Sequence, residues 1–499
     1  MGRLENSRIA VLVGTAATLF YTVLSWVPSL WFDEAATVSA VRRTPAELLD
    51  LLGNIDAVHG AYYFMMQGWT ALFGVSEFAL RIPSAIAGGA SAGLIYAIGC
   101  RLGSSRYALV AAGIFAILPR VQYAALEARP FVFSMLFAAL ATWALVRIWS
   151  ADEERDRTAF WWILYALCGA LGVLFSLYTI FLFAAHLVTV LLVPVLRRRM
   201  LSFLASGIFW VAPAAVIGFI AYGQRDQIAW IRPLGPTTVT EYFLAQYSSR
   251  VQFLDGTDYI PTLGKIESAA TSVLAVVLFT SALVGIWRVR REFLVRLALP
   301  WLLVPLAALL AGSLILGSPY YLPRYLTFTS PAIALLSAAA LVPRARPTAR
   351  PFARAVPIAA LCALVLAAIP ATISLRTTGG KDASYDYQWV AKTVAENAQP
   401  GDAIAPMGGE PNLIVRSSPD SFSGLADPTL IEPAGSIDLL FDGRVGIASA
   451  ADKVQQYDRV WLIREKNDGV SPADLAALGY IPKTEYTGVT RVVTLYVRG

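Results

Sequence analysis

Apolar runs about as long as a bilayer is thick recur along the first three quarters of this chain, near residues 9–30, 79–100, 107–122, 130–148, 159–178, 179–196, 201–222, 267–287, 297–316, 325–343 and 355–375. A helix needs roughly 20 consecutive apolar residues to cross the hydrocarbon, and the runs come close to that length. Inside lipid the backbone has to satisfy its own polar groups, so such runs fold as helices. The 499-residue chain is 57% hydrophobic and only 15% charged, with mean hydropathy +0.59, which rules against an ordinary soluble globule. The expectation is a polytopic α-helical membrane protein with about eleven transmembrane helices, residues 1–375 forming one membrane domain.

Charge sets the expected orientation. The net charge is +6 and the pI about 9.1, but the basic residues sit in short loops between apolar runs, so nucleic acid is not an expected partner. Arg3 and Arg8, Arg101 and Arg106, Arg147 with Arg155 and Arg157, Arg197 to Arg199, Arg288 with Arg290 and Arg291, and Arg344 to Arg354 fall in alternate loops. The positive-inside rule puts those loops and the N-terminus in the cytoplasm. Connections 31–78, 119–129, 223–266 and 317–324, and everything after about 376, then face outward. The first run leads into a charged segment rather than a small-residue cleavage site and reads as a retained anchor. Cys100, Cys168 and Cys362 each lie inside an apolar run, which suits packing better than a disulfide framework or a thiolate metal site.

The first outer segment carries its own helix signals. Thr44-Pro45-Ala46-Glu47 combines a capping Thr, Pro at the first helical position and Glu three residues after the cap. Leu48, Leu49, Leu51 and Leu52 follow as an apolar face, which predicts a short helix lying in the membrane interface. The stretch Ala61 to Phe73 is too short to span comfortably and carries Tyr62, Tyr63 and Trp69, rings suited to the headgroup region. Beyond Arg376 the composition becomes that of a soluble unit. A helix over 385–397, a Pro400-Gly401-Asp402 turn, and strands at Arg459 to Ile463 and Thr490 to Val497 predict a small α/β domain over 376–499, outside the membrane.

Candidate chemistry gathers in those outer connections. Asp33 and Glu34 stand side by side where the first run ends; one reading is a helix cap beside a solvated acid, the other a pair that accepts a hydroxyl proton and orients a sugar or cation. Asp56 and His59 precede Tyr62 and Tyr63, and with Glu34 they form a set for which a divalent cation stays an open question, since the spacing matches no regular metal motif. His186, inside an apolar run, fits packing. Glu127 and Arg129 stand just before one apolar helix, and Arg324 and Tyr325 hold the equivalent place at another. Outward arginines at a membrane boundary run against the charge bias; they either snorkel to lipid phosphate or form a fork for a lipid-linked phosphate. The loop 223–266 offers Gln224, Arg225, Gln227, Trp230 and Arg232, a mixture that can hold sugar hydroxyls and stack a ring, although an interfacial belt also explains Trp230. The chain has no Asp-x-Asp pair, no Gly-x-Gly-x-x-Gly after a strand and no Walker loop, so the usual nucleotide-phosphate devices are missing.

Trp31-Phe32-Asp33-Glu34, His59-Gly60-Ala61-Tyr62-Tyr63, Leu80-Arg81-Ile82-Pro83-Ser84, Glu127-Ala128-Arg129-Pro130 and Pro323-Arg324-Tyr325 together resemble bacterial family 39 glycosyltransferases of the GT-C superfamily. That group includes protein O-mannosyltransferases and the lipid A aminoarabinose transferase, and the tail is similar to tails on actinobacterial members. The resemblance implies a GT-C fold in a bacterial cytoplasmic membrane and a polyprenyl-phosphate sugar donor. It further implies transfer of a sugar, mannose first, with inversion, to a lipid, cell-wall glycan or protein acceptor outside the membrane. It implies Asp33 as the catalytic acid/base with Glu34 as its neighbour, Glu127 as a second acidic position in the next outer loop, and Arg129 and Arg324 on the donor phosphate; His59, Tyr62, Tyr63, Arg81, Gln227, Trp230 and Tyr325, with Glu127, are the candidate substrate-binding residues. One departure is visible: many members have His-Pro-Pro where this chain has His59-Gly60-Ala61. A polyprenyl-phosphate arabinofuranosyl or other pentosyl transferase shares the same site logic. A lipid-glycan flippase would place polar residues near mid-helix and often shows symmetric halves, neither of which is seen here. A glycan-binding module with a dead membrane site is the third alternative.

Overall fold

The computed structural model describes residues 3–150, 158–250, 264–342, 351–381, 386–466 and 473–499. Arg155, Arg157, Arg344, Arg346 and Arg350, assigned above to cytoplasmic loops, lie outside the described residues, as does 251–263 of the long outer loop. Among the described residues, seven helices are long and apolar enough to cross a membrane: Glu77–Leu102, Phe131–Trp149, Thr158–Phe175, Met200–Gly223, Lys265–Arg288, Phe293–Leu316 and Ala355–Ser374. An eighth crossing is counted if Ser105–Ile117 and Pro119–Ala125, bent by 67° at their junction, form one broken span.

The expected eleven spans are therefore corrected to seven or eight, and the three that fall away have distinct causes. The first run is a helix only over Arg3–Thr22, whose opening turns are polar; Leu24 then adopts a left-handed backbone and ends it. The run at 179–196 is a 3-10 turn followed by Ile180–Leu192, and the run at 325–343 is a 3-10 segment Pro323–Thr329 followed by Ser330–Leu341. At 1.5 Å per residue, helices of 13 and 12 residues reach only about 20 Å, short of the roughly 30 Å of hydrocarbon. Ser330–Leu341 is buried almost throughout. Hydropathy cannot distinguish a helix sheathed by other helices from one facing lipid.

Helix Arg3–Thr22 lies against Glu77–Leu102 at backbone distance. A Cβ added at Gly89 would stand 2.6 Å from the Gly14 carbonyl oxygen, and one at Gly93 2.7 Å from that of Ala10. This is the small-xxx-small packing by which membrane helices gain dispersion contact in the absence of a hydrophobic drive.

The first outer segment follows its sequence signals. Pro45–Asn54 is a helix whose Thr44 amide donates to Glu47 Oε2 at 2.7 Å while the Glu47 amide donates back to Thr44 Oγ1 at 3.3 Å. Gly60–Phe73 forms a 14-residue helix too short to rank as a span.

The chain ends in a β-sheet domain. Its strands are β1 (Ala403–Pro406), β2 (Leu430–Glu432), β3 (Gly443–Arg444), β4 (Arg459–Glu465), β5 (Tyr480–Thr487) and β6 (Arg491–Arg498). β1, β4, β6 and β5 lie side by side in that order, β1 parallel to β4 and the other pairs antiparallel; β2 and β3 form a separate short pair. Gly401 takes a φ of +91°, and Asp402 beside it accepts from Arg459 Nε at 2.6 Å and Trp461 Nε1 at 2.8 Å, tying the turn to β4. The domain rests on helix Phe32–Val41. Ser39 Oγ donates to the Leu440 carbonyl at 2.7 Å, Arg43 Nη1 to that of Ile437 at 3.0 Å, and Arg416 Nε to Ser39 Oγ at 2.7 Å.

What fixes helix Phe32–Val41 to the bundle is a fully buried ion pair. Arg81 donates from Nε and Nη2 to the two carboxylate oxygens of Glu34 at 2.8 and 2.6 Å. Its remaining donors reach the carbonyls of Ser25, Pro28 and Ser29, so all five N–H groups of the guanidinium are used. Glu34 Oε1 also accepts the Ala128 amide at 2.9 Å. Behind this knot Glu127 is buried, with Oε1 unbonded among the described residues. Burial pushes its carboxyl up to about 7 against the pull of Lys381 and Arg324.

Two stability predictions follow from these groups. Arg81→Ala leaves Glu34 buried and unpaired, expected to cost about 3–5 kcal/mol; the Tm in detergent should drop sharply, and Arg81→Leu combined with Glu34→Leu should recover part of it. Glu127 has a folded pKa above its unfolded one, so the native state holds the proton more tightly and stability declines as pH rises from the unfolded value through about 7. Glu127→Gln should therefore leave Tm nearly unchanged at pH 5 and raise it at pH 8, relieving up to about 3 kcal/mol. A Tm difference that does not grow with pH would contradict this.

Candidate active site

Consecutive residues on a helix project about 100° apart, so Asp33 and Glu34 at the start of Phe32–Val41 face different surroundings. Glu34 points into the protein, and Asp33 borders a cavity of about 580 Å³. Arg324, on the 3-10 segment Pro323–Thr329, donates from Nη1 to Asp33 Oδ2 at 2.5 Å. Arg129, just before helix Phe131–Trp149, brings Nε to 3.7 Å from the same oxygen and Nη1 to 3.3 Å from the Asp33 carbonyl. Both guanidinium groups are nearly buried, 8% and 5% exposed, and both line the cavity. Two cations therefore share one carboxylate. Burial alone raises the Asp33 carboxyl, but Arg324 and Arg129 outweigh it and hold it below the usual range. The Arg324 guanidinium sits among the rings of Trp31, Phe131, Trp230 and Tyr325, 5.5 to 5.8 Å from their centroids. That enclosure removes water that would screen its charge.

A second polar set adjoins these residues. Arg129 Nη1 donates to the Tyr63 hydroxyl at 3.1 Å, and Tyr63 donates to Asp56 Oδ2 at 2.6 Å. Arg129 Nη2 stands 2.9 Å from His59 Nε2. A guanidinium only donates, so Nε2 accepts and the imidazole carries its proton on Nδ1, which has no partner among the described residues. Burial, with Arg129 and Arg324 nearby, holds His59 well below its ordinary value, so the ring is neutral. Asp56 is the reverse of Asp33: burial dominates over Arg129 and the Tyr63 bond, and its carboxyl is held above the ordinary value. Gln227 and Gln224 accept the backbone amides of Asp56 and Ala57 at 3.2 and 3.0 Å, which docks the loop after Met200–Gly223 onto this turn.

Much of the rest of the cavity lining is apolar. Tyr178, Phe181, Ala221, Leu309 and Leu316 line it, the last three from helices Met200–Gly223 and Phe293–Leu316. Leu440 and Phe441 of the β-sheet domain form a further wall, the Phe441 ring 6.1 Å from that of Phe32. An anionic group attached to a long apolar chain fits such a space, anion on the arginines and chain between the helices.

Of the residues singled out in the sequence, Asp33, Asp56, His59, Arg129, Gln224, Arg225, Gln227, Trp230, Arg324 and Tyr325 line the cavity together. Tyr63 reaches it through Asp56 and Arg129, while Tyr62 packs behind Tyr63 against Phe133. Glu34, Arg81 and Glu127 stand behind the site in the buried knot and do not border the cavity. The proposed cation set of Glu34, Asp56 and His59 does not converge, since Glu34 faces Arg81 and His59 Nε2 faces Arg129. Among the described residues no three His, Cys, Asp or Glu side chains are placed to hold a metal. Asp56 gains a place in the cavity that the sequence signalled only weakly, through an acid tolerant of a left-handed turn. Tyr178, Leu440 and Phe441 carried no signal at all.

Residues 61–222 match a family described as dolichyl-phosphate-mannose-protein mannosyltransferase, a span of less than half the chain. A comparison with curated proteins gives no match. Among solved structures, ArnT from Cupriavidus metallidurans bound to undecaprenyl phosphate is similar over 97% of both chains, with TM-score 0.56 at 13% identity. The archaeal oligosaccharyltransferase AglB from Archaeoglobus fulgidus, in complex with an inhibitory peptide and a dolichol-phosphate, is similar over 97% of this chain and 74% of its own, with TM-score 0.51 at 12% identity. At such identities the likeness is one of architecture. The chain shares the polytopic membrane fold of these proteins, with a C-terminal β-sheet domain.

Proposed function

We propose that this protein is a glycosyltransferase that moves a sugar, mannose in the first instance, from a polyprenyl-phosphate donor to a hydroxyl acceptor on the outer side of a bacterial cytoplasmic membrane. The observation that carries the reading is one cavity lined both by Arg324 and Arg129 and by apolar residues of helices Met200–Gly223 and Phe293–Leu316. The similar ArnT structure holds undecaprenyl phosphate and the similar AglB structure a dolichol-phosphate, which supports a lipid-phosphate occupant. Mannose rests on the description of the family matched over 61–222.

The chemistry follows from the donor. Its sugar already carries a phosphate leaving group, so the protein has to bind, orient and take up charge. The acceptor oxygen attacks the anomeric carbon as its proton passes to a carboxylate bordering the cavity, Asp33 or Asp56. The bond from carbon to phosphate oxygen breaks, its electron pair leaves with the polyprenyl phosphate, and Arg324 and Arg129 stabilise the added charge. A single in-line displacement inverts the anomeric centre. Lipid, cell-wall glycan and protein hydroxyls are the acceptor classes. The outward orientation rests on the positive-inside rule: Arg101, which donates to Ser150, and Arg199, which donates to the Ile148 carbonyl, sit together at an end of the bundle remote from the cavity.

Purified protein incubated with native membrane extract should transfer radiolabel from a polyprenyl-phosphate mannose and release polyprenyl phosphate. Transfer from a nucleotide sugar in its place would overturn the reading. Arg324→Ala should weaken undecaprenyl phosphate binding roughly 10- to 150-fold, the worth of about 1.5–3 kcal/mol for a hydrogen bond to a charged group. Unchanged affinity, measured by titration in nanodiscs, would remove Arg324 from the donor site.

A further inference from the structure

The reaction needs one group to take the acceptor proton, and the two carboxylates that border the cavity are held in opposite ways. Asp33 Oδ2 is shared by Arg324 at 2.5 Å and Arg129 at 3.7 Å, and the Asp33 carbonyl accepts from Arg129 and from Thr37 Oγ1. A carboxylate committed to two guanidinium groups is a weak base. Protonating it would also loosen both cations at the moment when the departing phosphate needs them.

Asp56 has none of these commitments. It makes no ion pair among the described residues and touches the cations only through the Tyr63 hydroxyl, which donates to Asp56 Oδ2 at 2.6 Å and accepts from Arg129 at 3.1 Å. Its backbone is left-handed, φ +59°, a conformation that costs a side-chain-bearing residue about 1 kcal/mol or more. That strain is held in place. Gln227 and Gln224 accept the backbone amides of Asp56 and Ala57, one on each side of the Asp56 Cα, and Gln224 Nε2 donates back to the Leu52 carbonyl at 2.9 Å. Three elements thus fix a strained acid at the wall of the cavity with one oxygen oriented by a tyrosine.

We propose that Asp56 is the general base that receives the acceptor hydroxyl proton, and that Asp33 is a positioning residue whose task is to hold Arg324 and Arg129 for the phosphate. The assignment rests on the transferase reading above and divides its two carboxylates. The acceptor O–H bond breaks toward the Asp56 carboxylate as the oxygen binds the anomeric carbon; the phosphate leaves with the electron pair of the old glycosidic bond. Asp56 then releases the proton to water. Burial of the carboxyl, which raises its proton affinity above the ordinary, agrees with this role.

The test compares Asp56→Asn with Asp33→Asn in nanodiscs, reading undecaprenyl phosphate affinity and kcat with the polyprenyl-phosphate mannose donor. Asparagine tolerates the left-handed turn, and Asp56→Gly, which suits it better still, serves as a second variant should the amide disturb folding. Both Asp56 variants should bind undecaprenyl phosphate within about threefold of wild type while kcat falls about 100-fold or more, the usual worth of a general base. Asp33→Asn should weaken undecaprenyl phosphate binding about tenfold or more. Asp56 variants that keep kcat within tenfold of wild type, or that lose the lipid phosphate as Asp33→Asn does, would overturn the assignment alone. A wild-type protein inert with all polyprenyl-phosphate sugars would overturn the transferase reading and this proposal with it.

Discussion

The bidentate Glu34–Arg81 pair is the interaction on which the rest of the arrangement depends. It ties the start of helix Phe32–Val41 to helix Glu77–Leu102, closes over three carbonyls of the preceding turn and takes the Ala128 amide from the next connection. A buried pair of this kind is worth little unless every donor and acceptor is matched. Here the guanidinium is fully used, so the desolvation of both charges is repaid by geometry. The reward is placement: with Glu34 locked, the residue one step before it can only face the cavity.

That placement matters because the cavity sets like charges side by side. Arg324 and Arg129 repel each other in a water-poor setting, and Asp33 is the counter-charge that makes their approach tolerable. In the proposed transfer, cations assembled before the substrate arrives need no reorganisation when charge moves onto the leaving group. The surrounding rings add a face-on contact to Arg324 and shut out competing water. The neutral His59 and the Tyr63 hydroxyl spread the Arg129 hydrogen bonds over partners that carry no opposite charge, which leaves its positive field available.

Much of this could be read along the chain, for identifiable reasons. Arg129 and Arg324 stand at the ends of apolar runs where the charge bias disfavours them, and the structure brings both onto Asp33. The Thr44–Glu47 capping box needs only four consecutive residues, so it was legible without tertiary information. The number of spans was not, because Ser330–Leu341 owes its apolar character to burial among other helices rather than to lipid. Neither was the division between Asp33 and Glu34, which depends on what stands opposite each side of one helical turn. Asp56 stands out in the sequence as an acid near a histidine, but its left-handed backbone is a property of the folded turn, and the glutamines that hold it come from a loop about 170 residues away.

The wall contributed by Leu440 and Phe441 has a consequence for how the molecule is made. These residues leave the ribosome long after Asp33, Arg129 and Arg324, so the nascent membrane bundle carries charged groups beside an opening still lacking one side. Only when the sheet domain has settled on Ser39 and Arg43 does the chamber acquire its full boundary. Assembly of the chamber thus runs from the helical bundle to the sheet domain that closes its remaining side.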